Sequence, residues 1–501
     1  MKNYLLTFQL LISTVSISTA QENAMALRYG QQITPADLKD YLSIIASDAL
    51  EGRKTGTRGQ KMAAAFISNH FEEVGLTPPV NGTYYQPLDL YSSFIPSAYV
   101  LANGFRAENY KDIIYWGSRE SGGEVQTEVV FLGQGSEADY MQVDVRNKSV
   151  MIWVKNLRPI NDLKPVVALA KGKGAKAVFI VSENSKEQFI ELASAMENYF
   201  SSERLSLSKP EPSDEEIFLI DQAVAQKVFN LPIEKLRKVA MEDSNKSSLR
   251  KMKTGSLKYR VSLNFSTLKS ENVLGYLEGS DKKNELVIVT AHYDHIGLNS
   301  HGEDKINNGA DDDGSGTVTV LELAKIFAKA KQEGNGPRRS MLFMTVTGEE
   351  EGLFGSEYYA EHPVYPLAST VVDLNIDMIG RTDAEHLDSL DYVYVIGSDK
   401  LSTELHELSE KTNATYTNLN FDYTYNDVNH PTNLYKRSDH WNFAQKGIPI
   451  IFYFDGIHED YHLPSDEIEK INFDLLAKRA QCIFYTAWEI ANRDKRIVVD
   501  K

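Results

Sequence analysis

A chain of 501 residues with 42% apolar and 10% aromatic side chains is too long for one ordinary core and too apolar for disorder, so two or three globular domains are expected. Its 53 lysines and arginines against 70 aspartates and glutamates leave a net charge of -17, which argues against a nucleic-acid or anionic-membrane partner. The single cysteine, Cys482, excludes an intrachain disulfide and reads as a buried inert thiol in a C-terminal helix.

Residues 1–20 carry Lys2, an apolar run from Tyr4 to about Ile17, and small residues at Ser18-Thr19-Ala20, the pattern of a cleaved secretory leader. The mature chain is therefore expected from Gln21, secreted or periplasmic. No later run reaches the roughly 18 apolar residues of a membrane span, and no cysteine near the cleavage point offers a lipid anchor. Thr34-Pro35 signals a helix start with proline at its first position. A second helix is expected over about Gly59 to Val74, where Ile67, Phe71 and Val74 share a face and Gly75 follows. Residues 21–93 thus read as a helical part of the catalytic domain, packed on a later sheet. From about Phe94 the units become shorter and rich in strand signals, at Val129–Leu132, Ser149–Val154 and Ala177–Val181, with helix signals at Pro165–Gly174 and after Ile217. Residues 94–255 hold no cluster of metal-ligand residue types and read as an inserted, non-catalytic domain.

Residues 256–501 read as an α/β domain. Leu286–Thr290, Met341–Thr347 and Val371–Ile376 are apolar or β-branched runs, and between the first two Val320, Leu323, Ala324, Phe327 and Ala330 recur at helical spacing. That alternation predicts a doubly wound mixed sheet with helices on both faces, in which ligands bind beyond the carboxyl ends of the strands. Ala291-His292-Tyr293-Asp294-His295, Gly309-Ala310-Asp311-Asp312-Asp313-Gly314, Thr347-Gly348-Glu349-Glu350-Glu351-Gly352 and Asn375-Ile376-Asp377 fall in this region, with His292, Glu349, Glu350 and Asp377 just past strand ends. So many carboxylates stay ionised together only with cations between them. Imidazole and oxygen ligands without thiolate suit Zn²⁺, with Mn²⁺ or Co²⁺ as substitutes. Because alternate side chains leave a strand on opposite faces, Glu349, Glu350 and Glu351 cannot all point at metal, and Glu351 is assigned to solvent or structure. His458-Glu459-Asp460-Tyr461-His462 also fits the H-E-x-x-H pattern, but Gly456 before it and Pro464 after it leave little room for the helix that pattern requires, so His458 and Glu459 are expected to be loop residues.

The order of H-Y-D, G-A-D-D-D-G-S-G, E-E-E-G-L-F-G-S, N-I-D-M and D-Y-H-L-P-S-D resembles that of the secreted co-catalytic di-zinc aminopeptidases, bacterial leucyl aminopeptidase and aminopeptidase Y among them, which are similar to glutamate carboxypeptidase. The resemblance covers about Ser270 to the C-terminus. Residues 94–255, around Lys164 to Val181, resemble a protease-associated domain, and Ser47–Arg53 a segment of the family's N-terminal region. The resemblance implies the zinc-dependent exopeptidase fold, peptide substrates and two zinc ions per chain. It makes His292 and Asp377 ligands of one zinc, Glu350 and His462 ligands of the other, and Asp312 the bridge. It makes Glu349 the general base, has Asp294 orient His292 through its free ring nitrogen, and has Tyr435 stabilise the oxyanion. The implied activity is removal of an N-terminal residue. Alternatives are a carboxypeptidase or a glutaminyl cyclase of related fold, or a metal-free binding protein of the same fold.

Overall fold

The computed structural model describes residues 23–200, 204–209, 216–241, 247–299, 302–427 and 429–501, and the expected leader lies outside them. The chain divides into two compact units, Asp89–Leu268 and the residues on either side of it. Both boundaries fall inside long strands, Tyr85–Ala102 and Gly255–Leu277. A boundary inside a strand carries no turn residues, which is why composition suggests the narrower limits 94–255.

The unit formed by the chain's two ends is built on a mixed sheet. Its strand order is Asn420–Asp422, Tyr392–Ile396, Ile450–Phe454, Thr370–Ile376, Lys282–His292, Arg339–Val346, then the final residues of Gly255–Leu277. Lys282–His292 runs parallel to both neighbours, with Ile288 opposite Leu342 on one side and Asp373 on the other. Alternation sends Val287, Val289, Met341 and Phe343 into one core layer and Leu286, Ile288, Leu342 and Met344 into another. Both faces are therefore covered, as parallel strands require.

The larger layer takes the helices Gly316–Gln332 and Phe473–Asn492. It also takes Pro35–Ile45 and Arg58–Glu73, through Leu38, Leu42, Ile45, Ile67 and Phe71. These two helices thus pack on the sheet as expected, Pro35–Ile45 being capped by the Thr34 hydroxyl, which accepts from Asp37 N–H at 3.2 Å. Cys482 is buried in the last helix, and burial pushes its thiol up to about 12, which disfavours the reactive thiolate.

Asp89–Leu268 is also built on strands. Val125–Phe131, Ser149–Val154, Val178–Ser182 and Ile217–Ile220 run parallel, with Ile113–Tyr115 antiparallel at one end. Phe131, Met151, Phe179 and Phe218 fill one face, and Val150, Ile152, Ile180 and Leu219 the other. The helices Lys186–Phe200 and Ile233–Ala240 were not read from the sequence. Among the described residues, no helix is long and apolar enough to cross a membrane.

Candidate metal centre

Two sets of side chains converge beyond the strand ends of the first unit. His292, Asp312 and Asp377 form one, and His295, Asp312 and Glu350 the other, with the ligand atoms of each set within 4.8 Å of one another. His292 Nε2 lies 3.2 Å from Asp312 Oδ1 and 3.5 Å from Asp377 Oδ1. On the opposite side, His462 Nε2 lies 3.1 Å from Asp312 Oδ2 and 3.0 Å from Glu350 Oε2. His295 Nδ1 is 2.7 Å from Glu350 Oε1. The two oxygens of Asp312 therefore face different histidines. Asp312 Oδ2, Glu350 Oε1, His462 Nε2 and both ring nitrogens of His295 are buried and, although several face one another closely, none is aligned in a hydrogen bond. Buried polar atoms are nearly always satisfied. Orphans gathered this closely, all nitrogen or carboxylate oxygen, fit divalent zinc.

Local structure explains the convergence. His292 ends its strand and Asp377 directly follows a parallel one. The Asp-Asp-Asp turn divides its labour. Asp312 faces the site, whereas Asp313 Oδ1 accepts from Gly316 N–H at 2.8 Å and Met378 N–H at 3.1 Å, and its Oδ2 accepts from His292 N–H at 3.2 Å. One carboxylate thus ties together the segments carrying three ligands. Gly316 has to be glycine, since a Cβ there would sit 2.4 Å from Asp313 Oδ1. Asp466 holds the turn from below, its Oδ2 accepting from Asp311 and Asp312 N–H at 3.0 and 3.1 Å.

Arg53, fully buried, donates to the carbonyls of Ile45, Tyr293, Asn308 and Gly309, tying the N-terminal segment to the ligand loops. Met378 (φ 60°) and His462 (φ 59°) occupy the left-handed region that side chains avoid, a cost of the kind that clusters at functional sites.

Burial, with Asp377 and Glu350 adding to it, outweighs His292 and holds Glu349 well above the usual carboxylate range. Burial would also raise Asp312, but the imidazoles of His292 and His462 dominate and hold it well below. Burial pushes Asp294 up to about 6 despite His292.

The structure brings His292, Asp312, Glu350, Asp377 and His462 together, with Glu349 Oε2 4.0 Å from His292 Nε2. Glu349 and Glu350 both reach the site because they lie in a turn after Val346, so strand alternation does not apply to them; Glu351 turns away, 3.5 Å from Lys54 Nζ.

Three expectations are corrected in detail, and one neighbour of the site is added. His292 Nδ1 faces the backbone carbonyl of Asp294 at 3.0 Å, while the Asp294 carboxylate, 4.0 Å away, instead accepts from Thr55 Oγ1 at 2.7 Å and Glu349 N–H at 3.3 Å. Tyr435 does not line the cavity over the ligands; its ring packs beside His440 and Trp441. The tyrosine in that cavity is Tyr461, stacked on His462 with ring centres 3.9 Å apart. Burial raises its phenol, as do Asp312, Glu350, Asp377 and Glu349. His458 is not a solvated loop residue, because it is buried with Nε2 3.3 Å from Asp311 Oδ2. His295 was missed as a neighbour of Glu350, although it stands only three residues beyond His292 in the same motif.

Residues 272–487 match the family described as Peptidase family M28. Aminopeptidase YwaD of Bacillus subtilis (strain 168) is 28% identical over 268 residues, 52% of each chain. A probable leucine aminopeptidase of Trichophyton verrucosum is 31% identical over 216 residues, 42% of this chain and 55% of that one. The chain spans about half the length of these curated relatives. Among solved structures, an aminopeptidase from Aneurinibacillus sp. strain AM-1 aligns over 95% of this chain and 98% of that one, at 19% identity and a TM-score of 0.48.

Proposed function

We propose that the chain, whose residues 272–487 match the family described as Peptidase family M28, is a two-zinc exopeptidase that releases N-terminal residues from peptides. The observation that carries this reading is Asp312, whose two oxygens each face a different histidine. His292 and Asp377 would hold one ion, Glu350 and His462 the other, and Asp312 both. Zinc held there would activate a water and polarise the scissile carbonyl. Glu349 lies within reach of the site without belonging to either ligand set. From there its carboxylate is placed to take the proton of the attacking water and deliver it to the departing amine. The Tyr461 hydroxyl is the group we assign to donate to the oxygen that gains charge during attack.

Met378, Leu434, Phe452, Phe454 and Ile457 give the adjoining cavity apolar walls suited to a substrate side chain. The leader-like residues 1–20 support a periplasmic or secreted location. For the unit Asp89–Leu268 we keep the protease-associated reading, a module that contributes no ligand, acid or base. The test combines elemental analysis with hydrolysis of leucine p-nitroanilide and its N-acetylated form. Close to two zinc ions per chain and cleavage of the free amine alone are expected; a reconstituted protein with well under one ion per chain would overturn the two-metal reading.

A further inference from the structure

The cavity over the ligands contains a group that its metal chemistry does not use. Arg437 lines it together with Asp312, Glu349 and Asp377, and the rest of the lining is apolar or aromatic, so Arg437 is the only cationic residue among the lining residues. Its backbone is held in place. Arg437 N–H donates to Leu434 O at 3.0 Å, and next to it Ser438 is buried and accepts from Asn375 Nδ2 at 2.9 Å. Its side chain is exposed and, among the described residues, makes no hydrogen bond or ion pair. The preceding residue shows that this is not a general feature of the segment: Lys436 places its ammonium 5.3 Å from the Trp441 ring centre and lines a different groove.

A guanidinium stays charged at every accessible pH and presents a planar fork matched to a carboxylate. The carboxylates that share the cavity have other work, since Asp312 and Asp377 belong to the ligand sets and Glu349 to proton transfer. A free arginine on the wall beside the reacting bond is therefore available to the substrate.

We propose that Arg437 is a specificity-determining residue that receives a substrate carboxylate, so that the chain favours peptides carrying a negative charge within one residue of the scissile bond. This rests on the peptidase reading above. The carboxylate has two possible sources, an acidic side chain on the released residue or the free C-terminus of a dipeptide.

The experiment compares two substrate pairs, glutamyl with glutaminyl p-nitroanilide and Leu-Gly with Leu-Gly amide, in zinc-loaded wild type and in Arg437→Gln. The readout is the ratio of kcat/KM within each pair, so a general loss of activity cancels. Wild type should favour the charged member of one pair about ten-fold, as expected for one charge-assisted contact, and the preference should shrink in high salt. Arg437→Gln should bring that ratio close to one. The first pair responds if the acidic side chain is the source, the second if the terminal carboxylate is. A wild type with no preference in either pair, or a preference that survives in Arg437→Gln, overturns the inference while leaving the peptidase reading intact. Failure of zinc-loaded wild type to cleave any of the four compounds overturns the peptidase reading and the inference with it.

Discussion

Both units contain parallel strands covered on two faces, yet only one gathers metal ligands. In Asp89–Leu268 two polar residues just past strand ends have protein partners. Asp221, just after Ile220, accepts from Ala223 N–H at 2.8 Å and caps the helix Gln222–Phe229. Asn184 Oδ1, just after Val178–Ser182, accepts from Ser182 Oγ at 2.8 Å and Leu157 N–H at 3.2 Å. In the other unit the corresponding ends carry His292, Glu350 and Asp377, where buried donor and acceptor atoms crowd together and several lack hydrogen-bond partners. Architecture supplies a crevice at strand ends in both units. What distinguishes a site is polarity left unsatisfied inside the crevice, because leaving a buried polar group unpaired costs about 1–3 kcal/mol unless something else binds it.

The comparison breaks most visibly at Asp312. Asp312→Asn should lower binding of both metal equivalents and cut kcat/KM by about a thousand-fold or more, measured by metal analysis beside peptide hydrolysis; retention of two tightly held ions would mean that Asp312 is not shared. Glu349→Gln should keep its metal and lose about a hundred-fold or more in kcat, and near wild-type turnover would remove it from the proton transfer. Tyr461→Phe should lower kcat about a hundred-fold if its hydroxyl meets the developing negative charge, whereas Tyr435→Phe should stay within a few-fold; the opposite ranking would restore the role that family resemblance assigns to Tyr435.

Smaller effects sharpen the contrast. His458→Ala removes the partner of Asp311, itself anchored by Gly380 N–H at 2.7 Å, and should cost about 1–3 kcal/mol of stability in chemical denaturation. No change beyond about half a kcal/mol would mean that His458 contributes no more than a solvated loop residue. Asp221→Ala, in the unit without ligands, should cost about 1 kcal/mol through the lost helix cap and leave metal content unchanged.

Much of the site was legible because its ligands sit in short motifs next to apolar runs. His292 ends one such run and Asp377 follows another, so strand periodicity alone brings them to the same edge of the sheet. The N-terminal helices were legible from their apolar spacing, and their docking followed because nothing nearby in sequence could cover them. Unit boundaries were less legible, since they lie inside strands. The helix Ile233–Ala240 was overlooked although Leu236, Val239 and Ala240 mark a buried face, because eight residues show little more than two turns of periodicity.

What the sequence determined by itself was the set of ligand-type residues, their order and the strands that carry them, because these depend on residue type and short-range periodicity. Tertiary structure decided which member of each adjacent group faces the site. The turn after Val346 lets Glu349 and Glu350 both reach in and sends Glu351 to Lys54. The folding of the Asp311–Asp313 turn against Asp466 and His292 leaves Asp312 alone to face the two histidines. The choice between Tyr435 and Tyr461, and the burial of His458, depend on segments distant in sequence meeting across the sheet. Side-chain direction within a turn depends on what the turn packs against, and those partners are long-range contacts that no local pattern encodes.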